Sequence, residues 1–302
     1  MKKIEYPKNI NLTDYSLENK KPKVFYGLSP EVIFCKKCAM SNQKPISTVE
    51  FKNTIEGKKT GINLNEDGIC DPCIVNDKKN NEVDWELREK ELKDLCDKYR
   101  RSDGKYDCIV PGSGGKDSFY ASHILKTKYH MNPLTVAWAP NIFTEWGWKN
   151  FQSWIGSGQD NYLVTTNTRV KRLLTRLAVE KLLHPFQPFV LGQRIIPPKI
   201  AAMMDIKLIF YGENEAEYNN PAADFFKPKR NPKTWALNKN NSSDLKISGV
   251  PLDDLINYFG INKNELSSYL PLDENLMMEK ELQVHYLGYY LKWDQQGKYY
   301  YA

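Results

Sequence analysis

The sequence predicts an α/β protein, a doubly wound, mostly parallel sheet with a small metal-binding module on its N-terminal side. Three observations make that prediction. A short apolar run, Tyr106 to Val110, passes through a glycine-rich turn into a helix-like segment, Lys116 to His130. Strand-like and helix-like patterns alternate from there to Tyr211, which argues for parallel strands with helices on both faces. Upstream stand two Cys-x-x-Cys pairs, Cys35-Lys-Lys-Cys38 and Cys70-Asp-Pro-Cys73.

Bulk properties agree with this division. A chain of 302 residues exceeds the usual single-domain size, so one large domain and a smaller module are expected. Hydrophobic residues at 41% and aromatics at 12% supply a sizeable core and exclude wholesale disorder. No apolar run approaches membrane-spanning length, and Met1 to Pro7 lacks the apolar stretch of a signal peptide. The cytoplasm is therefore the expected compartment, with no membrane partner. The net charge of +6 is spread over pairs such as Lys20-Lys21, Lys36-Lys37, Lys58-Lys59 and Lys78-Lys79, which lie among acidic residues. A solvated surface explains them better than a nucleic-acid stripe does.

After a polar N-terminal stretch come the cysteine pairs. In a cytosolic chain they point to one tetrahedral zinc held by Cys35, Cys38, Cys70 and Cys73 rather than to disulfides. Four thiolates close the coordination shell and leave no position for an activated water, so a structural zinc-ribbon-like module is expected. A pair of redox dithiols and a nucleic-acid ribbon are the competing readings. Between the pairs, Ser47-Thr-Val-Glu-Phe51 alternates and suggests a short hairpin, and Gly68 supports the turn into the second pair. Val83 to Arg101 carries Val83, Trp85, Leu87, Leu92, Leu95 and Tyr99 on a helical stripe that links the module to the sheet. Cys96 and Cys108 read as small buried apolar residues, and no cysteine follows Cys108.

The stretch Tyr106-Asp-Cys-Ile-Val-Pro-Gly-Ser-Gly-Gly-Lys-Asp-Ser118 is a phosphate cradle by construction. A helix N-terminus has unpaired N–H groups and a partial positive charge, and glycines let further N–H groups converge on an anion. Gly112, Gly114 and Gly115 give close backbone approach, Ser113 and Ser118 add hydroxyl donors, and Lys116 adds a point charge. An acid beside a phosphate is unfavourable unless a cation lies between them, so Asp117 implies Mg²⁺ with a nucleotide. Spacing excludes two familiar motifs. Val110 and Asp117 stand where a P-loop needs Gly and Ser/Thr, and Asp117 stands where the dinucleotide pattern needs its last Gly.

Strands are predicted at Tyr106–Val110, Pro133–Ala139, Asn161–Thr165 and Lys207–Tyr211. Helices are predicted at Lys116–His130, Thr144–Ser157 and Val170–Leu183, with a weaker helical or turn region at Pro197–Met204. Ligands in such sheets sit beyond the carboxyl ends of the strands, where strand order reverses. That places Ala137 and Trp138, Asn150 in the next helix, and Gly212-Glu213-Asn214-Glu215 at one edge with the glycine loop. Glu213 and Glu215 are candidates for Mg²⁺ or for proton transfer. Beyond Pro221, Phe226 to Asn241 reads as an exposed loop. Two helices follow, Leu252–Phe259 and Asn264–Leu270, and then an aromatic tail, Tyr286 to Tyr301, expected to pack. The expected partition is 1–82, 83–225 and 226–302.

The hexapeptide Ser113-Gly-Gly-Lys-Asp-Ser118 resembles the SGGxDS loop of the PP-loop ATP pyrophosphatases, which have an adenine nucleotide alpha hydrolase-like fold and cleave ATP between its α and β phosphates. Trp148-Lys-Asn-Phe-Gln-Ser-Trp154, His184-Pro-Phe-Gln-Pro-Phe189, Gly192-Gln193 and Phe210 to Tyr218, with the cysteine pairs, resemble the N-acetyl sugar amidotransferases of lipopolysaccharide and pseudaminic-acid biosynthesis. The resemblance implies ATP, Mg²⁺ and zinc as cofactors and adenine against the backbone of Ala137 and Trp138. It also places Asn150, Gly192, Gly212 and Asn214 among the nucleotide contacts. The implied reaction is conversion of an acetamido group to an acetamidino group: the amide oxygen takes AMP, and ammonia then displaces it. No cysteine is left for a glutaminase, so ammonia is expected from a separate subunit. Members of that family run further than this chain, so 226–302 is expected to be incomplete. The competing functions are a tRNA-modifying PP-loop enzyme, which would lack a persulfide cysteine near the nucleotide, and an inactive nucleotide-binding zinc protein.

Overall fold

A computed structural model describes residues 26–46, 49–54, 56–214, 225–237 and 245–302. Helices α1 (Asp71–Asn81) and α2 (Trp85–Tyr99) lead into the sheet. Then follow β1 (Cys108–Pro111), α3 (Lys116–Thr127), β2 (Pro133–Trp138), α4 (Glu145–Gly156), β3 (Asn161–Val164), α5 (Thr168–Leu182), α6 (Gln187–Met204) and β4 (Leu208–Tyr211). The remainder carries three short pairing strands, β5 (Ala236–Leu237), β6 (Lys246–Ile247) and β7 (Val250–Pro251), and helix α7 (Leu252–Asn257). It closes with β8 (Leu272–Asp273), α8 (Glu274–Glu279), β9 (Gln283–Tyr286), α9 (Leu287–Tyr290) and α10 (Gln295–Tyr301).

The main sheet has five strands in the order β3-β2-β1-β4-β9, every neighbouring pair parallel. The period of two in a strand divides the core accordingly. Ile109, Leu134, Val136 and Ile209 join Leu174 and Leu177 of α5 and Leu191 and Ile195 of α6. Cys108, Val110, Leu208 and Phe210 join Leu92 and Cys96 of α2 and Ala121 and Leu125 of α3 on the opposite face. Both faces are covered, which is why β1 and β4 are apolar runs rather than alternating ones. Cys96 and Cys108 are fully buried, as expected of small apolar residues. The doubly wound, parallel α/β fold is therefore the one the sequence predicts, and strand order reverses between β1 and β4.

Five local expectations are corrected. Residues 187–196, which carry resemblance residues but no predicted helix, belong to α6, which runs unbroken through Pro197 and Pro198. A proline offers no N–H, so Pro197 leaves the Gln193 carbonyl without its helical donor; the Tyr211 hydroxyl supplies the replacement at 2.7 Å. Second, Gln283-Val-His-Tyr286 forms a fifth sheet strand, in register with Leu208–Tyr211. Third, the expected exposed loop keeps exposed residues such as Phe226, Lys229 and Asn231 but is anchored by buried Arg230 and Trp235, and the Arg230 N–H donates to the Val284 carbonyl. Fourth, Glu50–Lys52 makes a 3₁₀ turn where a hairpin is expected, with Ser47 and Thr48 outside the described residues. The second expected C-terminal helix is a 3₁₀ helix, Lys263–Tyr269, started by a reciprocal Asn262–Glu265 cap. Among the described residues, no helix is long and apolar enough to cross a membrane.

Candidate active site

The cysteine cluster is the simpler of two sites. The Sγ atoms of Cys35, Cys38, Cys70 and Cys73 lie within 4.8 Å of one another, and Cys38 and Cys70 are 3.6 Å apart. Bonds of about 2.3 Å from a tetrahedral zinc would set sulfurs about 3.8 Å apart, so the spacing fits that ion. The N–H groups of Lys37 and Cys70 point at Cys35 Sγ, each at 3.3 Å, and that of Met40 points at Cys38 Sγ at 3.4 Å. Burial opposes ionisation of Cys35, yet the N–H groups of Cys70 and Lys37 hold its thiol down to about 6. Burial and the neighbouring thiols push Cys70 and Cys73 up. A divalent cation is what would let all four ionise together.

The second site lies at the carboxyl ends of β1, β2 and β4, around a cavity of about 350 Å³. Gly112, Ser113, Gly115, Asp117 and Ser118 line it from the loop, Trp138 from β2, and Gly212 and Glu213 from the exit of β4. Gly115 caps α3 with extended backbone, so the N-terminus of α3 opens at this loop. Ser118 returns its hydroxyl to the Gly115 carbonyl at 3.1 Å. Gly114 adopts φ +82°, and a side chain there would meet Phe151 Cα at 2.7 Å and Asn150 O at 2.8 Å, so only glycine fits. Asn150 thus abuts the loop through its backbone.

The charged groups converge on one point. Lys116 Nζ lies 2.5 Å from Asp117 Oδ2 and 3.6 Å from Glu213 Oε1. Gln295 donates to Glu213 Oε1 at 3.1 Å, and Trp293 Nε1 donates to Asp117 Oδ1 at 3.1 Å. Burial, and then the charge of Asp117, raises the Glu213 carboxyl, while Gln295 and Lys116 oppose the rise. Two carboxylates that share one ammonium form an oxygen donor set that also suits Mg²⁺.

Other predicted residues stand one layer back. Ala137 is buried with Phe151 and Trp154 of α4. Gly192 makes room for the Trp138 indole, whose ring atoms lie 2.1 Å from where its Cβ would be. Asn214 is fully buried and donates to the Phe225 carbonyl at 3.3 Å. Glu215 lies outside the described residues.

Gln193, Arg194, Tyr211 and Arg230, none of them a site residue expected from the sequence, also line the cavity. The buried Arg230 guanidinium stacks 3.8 Å over the Tyr211 ring, and its Nε donates to the Tyr286 hydroxyl at 3.0 Å. Neither are Trp293 and Gln295 expected site residues, because the aromatic tail reads as packing. No local pattern marks these positions.

Comparison with known proteins adds little. No family model matches the chain. An uncharacterized protein of Methanocaldococcus jannaschii is 36% identical over 84 residues, 27% of this chain and 30% of that protein. Among solved structures, an NH3-dependent NAD synthetase from Campylobacter jejuni in complex with the nitrate ion is similar with a TM-score of 0.34 and 14% identity. That likeness covers 47% of this chain and 64% of that one. The chain thus spans under a third of the curated relative and under two thirds of the solved structure.

Proposed function

We propose that this chain is an ATP-dependent ligase of the PP-loop type: a substrate carbonyl oxygen attacks the α phosphate of ATP and releases pyrophosphate, and ammonia then adds to the carbonyl carbon and displaces AMP with that oxygen. The carrying observation is the convergence of Lys116, Asp117 and Glu213 at the N-terminus of α3. In this reading the loop N–H groups and Lys116 bind the β and γ phosphates and stabilise the charge of departing pyrophosphate. Asp117 and Glu213 would hold Mg²⁺, which supplies charge neutralisation when bound. Trp138 offers an aromatic wall for adenine. An amide is a poor electrophile, so the protein's work is to place its oxygen against the α phosphate and to exclude water.

The finer proposal names the acceptor. Resemblance of the tracts around Trp148, His184 and Phe210 supports an N-acetyl sugar whose acetamido group becomes acetamidino, with ammonia from a separate glutaminase. The test is product mass after incubation with ATP, ammonium and a panel of free, phosphorylated and nucleotide-linked N-acetyl sugars. A product lighter than its sugar by about one mass unit, as O is replaced by NH, is expected with high ammonium and absent with glutamine alone. Ammonia-independent transfer to tRNA would replace this reading with the RNA-modifying one.

A further inference from the structure

A run of contacts joins the two sites. Cys70 is the residue that caps α1, and Cys73 lies in its first turn. At the other end of that helix Lys79 is buried, 8% exposed, and its Nζ donates to the Trp293 carbonyl at 2.5 Å. The Lys79 carbonyl in turn accepts from Trp85 Nε1 at 3.0 Å, which ties the end of α1 to α2. Trp293, 2% exposed, then donates its own Nε1–H to Asp117.

Trp293 also grips the rest of the site. Its ring stands edge-on to Tyr120 of α3, with centroids 5.4 Å apart. It fills the space where a side chain at Gly212 would sit, 2.9 Å from that position. A single indole therefore touches the helix that carries Lys116 and the exit of β4 that carries Glu213. Beside it, Arg88 of α2 stacks 4.1 Å over Tyr289 and donates to the Tyr289 carbonyl at 2.9 Å, which fixes the approach of the chain to Trp293.

We infer that Lys79 and Trp293 are positioning residues that tie the cysteine-bearing helix to Asp117, so that metal binding at the cysteines preorganises the nucleotide loop. The inference rests on the reading of that loop as a Mg-ATP site. Its physical basis is that α1 is a short polar helix whose first turn is fixed by two of the four ligands. When those ligands are released, the first turn of α1 loses its anchor while Val75 against Phe225 and the Trp85 N–H on the Lys79 carbonyl still hold the helix, so the Lys79–Trp293 contact loosens. Asp117 then keeps Lys116 as a partner, and the indole donor that orients it is less firmly placed.

The test is calorimetry of Mg-ATP binding to the full-length protein, with and without the metal, in the parent and in Trp293→Phe. Phenylalanine keeps an aromatic ring and removes the Nε1–H donor together with the pyrrole part of the indole, so the dependence on metal, and not the affinity of the variant alone, carries the test. In the parent, metal removal should weaken Mg-ATP binding on the order of tenfold, the usual size for losing one hydrogen bond to a charged group. Trp293→Phe should show a similar loss with the metal bound and little further loss on its removal. Lys79→Met, where it folds, should reproduce this, and combining it with Trp293→Phe should cost no more than either alone. A merely structural role would give additive losses. Equal affinity of Trp293→Phe and the parent, or affinity insensitive to the metal, overturns the inference. A metal-loaded parent that binds no Mg-ATP overturns the nucleotide reading and this inference with it.

Discussion

In the cysteine module, the four candidate ligands come from two tight turns, Cys35–Cys38 and Cys70–Cys73, brought together by bridges within the segment between them. At the sheet edge, Asp117 comes from α3, Glu213 from the exit of β4, and their partners Trp293 and Gln295 from the C-terminal segment. The first arrangement lies within one segment of the chain and would owe its order to a bound ion. The second is assembled over the length of the chain and owes its order to the packed sheet. The two should therefore fail differently when perturbed, and they should differ in how much a sequence can say about them.

The largest effect is expected in the module. Cys70→Ser removes a fully buried ligand, and structural zinc contributes on the order of 10 kcal/mol to the folding of such modules. Zinc content should fall from one per chain to near zero, and the module should become protease-sensitive while the sheet keeps its own unfolding transition. Stoichiometric zinc in the variant would break the contrast at its first term.

At the edge, the reverse is expected: large functional loss with little structural loss. Lys116→Ala should lower ATP turnover by at least a hundredfold, about 3 kcal/mol of barrier. Its partly exposed ion pairs with Asp117 and Glu213 should cost the fold less than about 1 kcal/mol. Turnover at the parent rate in a folded variant would remove the loop from the mechanism.

Acid sharpens the comparison further. His285, on β9, is buried, and burial first and the Lys229 charge second hold its imidazole down to about 3. A group depressed in the folded state gives stability that is present above its unfolded value, about 6.5, and lost as pH falls toward 3. The sheet should lose on the order of a few kcal/mol over that window, and His285→Gln should flatten the pH dependence. Chemical denaturation at pH 7 and pH 4 measures both. A parent whose sheet is as stable at pH 4 as at pH 7 would show that His285 is protonated in place.

The smallest effect concerns packing behind the site. Gly192→Ala would push a methyl into the Trp138 indole, at a cost of about 2 kcal/mol. Tryptophan emission and the denaturation midpoint should shift together. An unchanged midpoint would mean that the indole is free to move, and the wall proposed for adenine would not be fixed.

What was legible follows the same divide. The cysteine ligands and the glycine loop could be read because spacing alone constrains them: Cys-x-x-Cys permits one chelate turn, and Gly114 permits a left-handed backbone against Phe151. Parallel strands could be read because β1 and β4 are buried on both faces and so lack alternation. Helix α6 was hidden by Pro197 and Pro198, whose lost hydrogen bond is offset by Tyr211, 14 residues beyond Pro197 in sequence but adjacent in space. Strand β9 was hidden by Gln283 and His285, polar residues that find partners in Tyr99 and Tyr290. Arg230, Trp293 and Gln295 reach the site only through the fold, so no pattern near Ser113–Ser118 could announce them.

The central claim is that the Lys116–Asp117–Glu213 edge directs cleavage between the α and β phosphates. The most direct measurement is ion-exchange quantification of nucleotides and phosphates from metal-replete protein with Mg-ATP, ammonium and the N-acetyl sugar panel, beside Lys116→Ala. The account predicts AMP and pyrophosphate in equal amounts from the parent and neither from the variant. ADP and orthophosphate from the parent, or equal yields from parent and variant, would contradict it.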